Sequence, residues 1–129
     1  MNDLIQGMHH IGLPTGDMDA TVDFYGKLGA KVVFETKVME GDQPVRVVHL
    51  QLSNLLIEAY ERDSIPGVPG AVDHIAFEVN DIGEAFRRAQ TLHLRFVKEE
   101  IGVSDYWPTP TSWFHVIGPS EERIEFEKA

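Results

Sequence analysis

The sequence has no cysteine, which excludes disulfides, thiolate catalysis, iron–sulfur clusters and zinc sites built on thiolates. Any metal here must be held by imidazole and carboxylate. Basic residues are scarce: 11 Lys and Arg stand against 21 Asp and Glu, a formal charge of −10. That balance argues against nucleic acid, whose phosphates need clustered cations, and against an anionic membrane surface. Long apolar runs are missing too; Leu55-Leu56-Ile57 is typical, so nothing spans a bilayer. The first ten residues carry neither the basic region nor the apolar stretch of a signal peptide, and the expected location is the cytoplasm. What remains is a chain of 129 residues, 43% hydrophobic and 25% charged, the size and balance of one globular domain.

The main breaker cluster, DSIPGVPGAVD at 63–73, sits near the middle and invites comparison of the two sides. HIGLPTGDMDATVDFYGKLGAKVV from His10 lies over HIAFEVNDIGEAFRRAQTLHLRFV from His74. His10/His74, Ile11/Ile75, Asp17/Asp81, Leu28/Leu92 and Val33/Val97 match. Further on, LLIEAYE lies over ERIEFEK, pairing Ile57 with Ile124 and Glu58 with Glu125. The local signals follow the same order in both halves. Alternation predicts strands over 8–14 and 72–79. Asp17 and Asp81 are placed to cap helices, Asp81 with Glu84 in a capping-box pattern, and Gly29 is placed to end the first helix. Further strands are predicted at 31–38, 45–52 and 55–61, then at 94–101, 112–118 and over RIEFEK. Each half therefore reads βαβββ: module one at about 8–62 and module two at about 72–128 of a single domain spanning 1–129, in the α+β class.

Period-two geometry sends the apolar set of each first strand toward its helix and His10 and His74 to the opposite face. In the last strand of each half, Glu58 and Glu125 oppose Ile57/Ala59 and Ile124/Phe126 in the same way. Two imidazoles and two carboxylates related by the repeat suit a divalent Ni, Zn, Co, Mn or Fe ion. His9 competes with His10, and the shared His-Ile pair decides for His10. His49, His115, Tyr60 and Trp113 read as wall residues or substrate contacts, with plain packing as the alternative. His93 reads as structural, through the helix dipole. Glu61 and Glu127 are secondary candidates on the same strands, and Glu99-Glu100 and Glu121-Glu122 read as solvated turn charges.

The pattern HHIGLPTGDMDATVDFYGKLG, LLIEAYE, DHIAFEVNDIGEAF and FHVIGPSEERIEFEK resembles the vicinal oxygen chelate superfamily. That superfamily includes glyoxalase I, methylmalonyl-CoA epimerase, fosfomycin-resistance enzymes, extradiol dioxygenases and bleomycin-binding proteins. The resemblance, over roughly residues 8–128, is strongest to bacterial glyoxalase I-like (lactoylglutathione lyase-like) proteins. It implies two βαβββ modules forming a cupped mixed sheet, a divalent metal on His10, Glu58, His74 and Glu125, and a homodimer. It also implies a metal-dependent lyase or isomerase acting on a small hemithioacetal or α-hydroxy-carbonyl. The metal would grip two adjacent oxygens and stabilise an enediolate, Glu125 would remove the proton, and Glu58 would return it. Phe77, Tyr60, Trp113 and Trp107 would exclude water. Alternatives are an epimerase-like racemase, a sequestering protein without catalysis, and a fosfomycin-resistance-like or dioxygenase-like enzyme. Leu13-Pro14 and Ala59-Tyr60-Glu61-Arg62 replace the residues by which relatives that use glutathione hold it, which argues against that thiol.

Overall fold

Each half passes from a short strand straight into a helix because an aspartate caps the helix that follows. In the first half the elements are β1 (Ile11–Thr15), α1 (Met18–Lys27), β2 (Lys31–Glu40), β3 (Gln43–Leu52) and β4 (Leu55–Glu61). The Asp17 carboxylate accepts from the Ala20 N–H at 3.0 Å, satisfying an otherwise orphaned helical donor. Thr15 and Thr21, both buried, share a 2.8 Å hydrogen bond that ties the strand end to the helix. At the other end Gly29 adopts φ 104°. The Ala30 N–H donates to Tyr25 O at 2.9 Å and the Gly29 N–H to Gly26 O at 3.0 Å, a Schellman closure.

This is a computed structural model, and it describes every residue except 5, 69, 71 and 105–107. The chain divides into two compact units, Met1–Ile65 and Pro66–Ala129. In the first unit the sheet order is β1-β4-β3-β2, with β1 parallel to β4 and the other pairs antiparallel. Helix α1 buries Met18, Thr21, Phe24 and Tyr25 and packs on β3 and β4. Leu55, Ile57 and Ala59 of β4 are buried, while alternation leaves Leu56, Glu58 and Tyr60 half-buried on the other face. Each large apolar side chain so buried contributes about 1.5–3 kcal/mol before entropy is counted.

The second unit contains β5 (Ile75–Glu78), α2 (Ile82–Thr91), β6 (Arg95–Phe96), β7 (Gly102–Ser104), β8 (Thr111–Ile117) and β9 (Arg123–Lys128). The order is β5-β9-β8-β6, with β7 also paired to β8 and β5 parallel to β9. Asp81 repeats the cap, accepting from the Glu84 N–H at 2.9 Å. Phe114 is the centre of the core, its ring 5.3 Å from Phe86, 5.8 Å from Phe96 and 5.0 Å from Phe126. Mixed sheets and one helix per unit make the class α+β.

Several sequence expectations are corrected here. The opening strands are shorter than 8–14 and 72–79, so His10 and His74 stand just before β1 and β5 rather than within them. The strand expected over 94–101 is interrupted between β6 and β7. Lys98, Glu99 and Glu100 are consecutive exposed charges with no apolar face to bury, and Lys98 and Glu100 pair with each other at 2.9 Å. His93 matters through its backbone. At φ 54° it occupies the position of Gly29, with the Leu94 N–H donating to Ala89 O at 3.0 Å in the same closure. Among the described residues, no helix is long and apolar enough to cross a membrane.

Candidate metal centre

Helix α2 and the aromatic core occupy one face of the second sheet, and the polar side chains of its strands occupy the other. Phe114 and Val116 of β8 are buried, so Trp113 and His115 project from the opposite face. The β8–β9 register sets His115 directly across from Glu125 and Trp113 across from Glu127. His115 Nε2 lies 2.6 Å from Glu125 Oε2. The parallel pairing of β5 with β9 places Ala76 beside Glu125, and His74, two residues earlier, brings its Nε2 to 3.2 Å from the same oxygen. The three donor atoms lie within 4.8 Å of one another. Two imidazole nitrogens and one carboxylate oxygen at that spacing form a donor set for a divalent first-row ion, so the residues fit the metal that the sequence implied.

The surroundings hold this cluster in place. Asp73 Oδ2 accepts from His74 Nδ1 at 2.9 Å, and that hydrogen bond keeps the Asp73 carboxyl below its ordinary range. The Trp113 ring lies 5.1 Å from the His115 ring, and its Nε1–H donates to Ser104 Oγ at 2.8 Å. A Cβ on Gly102 would meet the Trp113 indole at 2.6 Å, so glycine is what lets the ring lie there. Glu127 is raised above its ordinary range, first by a hydrogen bond with Glu125 and then by burial.

The first unit repeats part of this arrangement. His49 faces Glu58 across β3 and β4, with Nε2 3.1 Å from Oε2. His10 is exposed and pairs instead with His9, their Nδ1 atoms 2.8 Å apart. The Tyr60 ring carries the Arg62 guanidinium at 4.5 Å. A cleft of about 460 Å³ opens beside the start of α1, lined by Arg46, Arg62, Glu40 and Glu61 among others; of the sequence candidates it holds the secondary one, Glu61. Arg46 is bound to Glu35 at 2.6 Å and to Asp19 at 3.0 Å, and Arg62 to Glu40 at 2.8 Å, so its cations are already neutralised.

The structure therefore brings His74 together with Glu125, and places His49 and His115 beside the predicted carboxylates. Phe77 is corrected as well: it packs 6.3 Å from Phe126, on the core side. Trp107 lies outside the described residues. Sequence reasoning missed His115 as a cluster member and Asp73 as its support. The signal was available: folding the last two strands of each half into a hairpin sets His49 opposite Glu58 and His115 opposite Glu125.

The family model of the glyoxalase/bleomycin resistance protein/dioxygenase superfamily matches residues 7–126. The chain belongs to that superfamily. An uncharacterised protein of Bacillus subtilis, YwbC, is 27% identical over 124 residues, covering 91% of this chain and 93% of that protein. Among solved structures, a glyoxalase family protein from Enterococcus faecalis superposes with a TM-score of 0.79 at 22% identity, covering 95% of this chain and 97% of the other. FosX, a fosfomycin resistance protein from Listeria monocytogenes solved with Mn(II) and sulfate, gives 0.74 at 18% identity, covering 98% and 94%. At these identities the structural likeness establishes the glyoxalase-like fold.

Proposed function

We propose that this superfamily member is a metal-dependent lyase or isomerase of the glyoxalase I-like type, acting by proton abstraction beside the carbonyl of a small hemithioacetal or α-hydroxy-carbonyl. The observation that carries the reading is the convergence of His74 and Glu125 on one point of the sheet face opposite the core. FosX, which shares the fold, was solved with Mn(II), which supports a metal here. A bound divalent ion would supply Lewis-acid polarisation of two adjacent substrate oxygens. His74 and Glu125 would hold it, and the superfamily resemblance adds His10 and Glu58 as ligand positions. Glu125 is the base, taking the proton at its carboxylate, with Glu58 as the group that returns it. Glu127 neighbours the base, its carboxyl raised above its ordinary range by the hydrogen bond with Glu125, and Trp113 shields the site from water. On the resemblance alone, the protein works as a homodimer.

The test is an assay of methylglyoxal with a panel of thiols, comparing metal-loaded with metal-stripped protein and with Glu125→Gln. Both changes are expected to lower turnover by about 10²–10⁴-fold, the range for loss of a positioned base. Activity that survives both sinks the assignment. Solvent deuterium uptake by an acyl-CoA without net reaction would move the protein to the racemases.

A further inference from the structure

The superfamily resemblance takes one imidazole and one carboxylate from each module as ligands. In the second unit a second imidazole occupies the same place. We propose that His115 is itself a metal ligand, so that His74, His115 and Glu125 form a three-donor site within that unit. This deepens the proposed function and rests on its reading of the site as a metal centre.

Four observations support the assignment. Both Nε2 atoms address the same carboxylate oxygen, at 2.6 Å for His115 and 3.2 Å for His74. Secondly, two of the three donors are partly withdrawn from water: the His115 and Glu125 side chains are 18% and 12% exposed, against 38% for His74. A third argument comes from hydrogen-bond accounting. The Asp73 carboxylate can only accept, so the proton of their 2.9 Å contact sits on His74 Nδ1. Nε2 is then the ring nitrogen that faces the Glu125 carboxylate, at 3.2 Å. A cation among the three donor atoms would engage that nitrogen, His115 Nε2 and the carboxylate oxygen together. A carboxylate behind a ligating imidazole is also the usual second layer of such sites, fixing ring orientation and tautomer. Finally, the His115 ring is positioned from both sides, by Trp113 at 5.1 Å and His74 at 5.4 Å between ring centres.

The absence of cysteine makes the test specific. Co²⁺ is titrated into the full chain, read by its visible d–d absorption and by competition with a chromophoric chelator. His115→Gln is expected to weaken Co²⁺ binding by about 100-fold or more, at or beyond the 10–100-fold that loss of an outer partner costs. His115→Cys introduces the chain's one thiol. If position 115 coordinates, the Co²⁺ form of that variant gains a near-ultraviolet thiolate-to-metal charge-transfer band, which a residue merely hydrogen-bonded to Glu125 does not produce. Thermal unfolding of the metal-free variants controls for folding. Should both variants bind Co²⁺ as the unmodified chain does, with no such band, the His115 assignment is overturned while the metal reading stands. If the unmodified chain takes up no Co²⁺, both fall.

Discussion

Helix α1 buries Met18, Thr21, Phe24 and Tyr25, whereas α2 buries Ala89 alone. Among the described residues, the first unit buries ten apolar side chains and the second five: Ala89, Leu94, Phe114, Val116 and Ile124. The polar face shows the opposite ordering. His49 and Glu58 meet at 3.1 Å with side chains 25% and 38% exposed, while His115 and Glu125 meet at 2.6 Å and are more enclosed. One βαβββ plan thus gives a half whose strength lies in packing and a half whose strength lies in its donor cluster. The cross-strand His–Glu pair occurs in both, because hairpin register produces it. The second imidazole depends on what precedes the first strand: Asp73 orients His74 toward the cluster, whereas His9 engages His10.

That contrast can be broken at four points, beginning with the core. Phe114 carries much of the smaller core, so Phe114→Ala is expected to cost about 3–5 kcal/mol in urea denaturation. Leu50→Ala in the first unit falls in the range of about 2–5 kcal/mol and is expected to be the lesser loss. A reversed order would show that the second core is not the more concentrated one. Next comes the metal: His74→Ala should lower Co²⁺ affinity by about 100-fold or more, beyond an outer-partner loss, and by more than His10→Ala does. Equal losses would make the two halves equal contributors.

A smaller effect is expected at the helix ends. His93 at φ 54° pays a left-handed backbone penalty that Gly29 at φ 104° avoids. His93→Gly should raise stability by about 1 kcal/mol and Gly29→Ala should lower it by about 1 kcal/mol, both read as shifts in denaturation midpoint. The smallest effect is in acid. Hydrogen bonds from Arg87 and Arg88 lower Glu84 from 4.5 to about 2. Its folded pKa lies below the unfolded value, so its contribution is present above pH 4.5 and is lost as pH falls from there toward about 2. Glu84→Gln should flatten that part of the stability profile. The first unit has Ala20 in the equivalent place, and Ala20→Glu has no paired arginines to reproduce the effect.

Much of the fold was legible because its signals are local. Asp17 and Asp81 cap helices by accepting from N–H groups three residues on, a spacing visible in the chain. Gly29 marks a helix end for a reason of backbone sterics, whereas the left-handed backbone of its counterpart His93 was not legible, because histidine does not advertise that conformation. Alternation placed Glu58 and Glu125 opposite the buried Ile57 and Ile124. It extended the first strands too far at 8–14 and 72–79, since apolar alternation persists where pairing has not yet begun. The 94–101 segment failed for a related reason: its β-branched and aromatic start masked a charged middle that cannot hold a ladder.

The sequence by itself determined that metal chemistry here must run through imidazole and carboxylate, that the chain repeats, and that each half ends on a strand glutamate facing away from its helix. Composition and periodicity suffice for those, because each is a property of one residue or of neighbours along one element. Only the tertiary structure decided which histidines reach which carboxylate. That choice depends on the register between strands far apart in sequence, and on side chains just outside the strands, such as His74 beside Asp73, whose direction no periodicity sets.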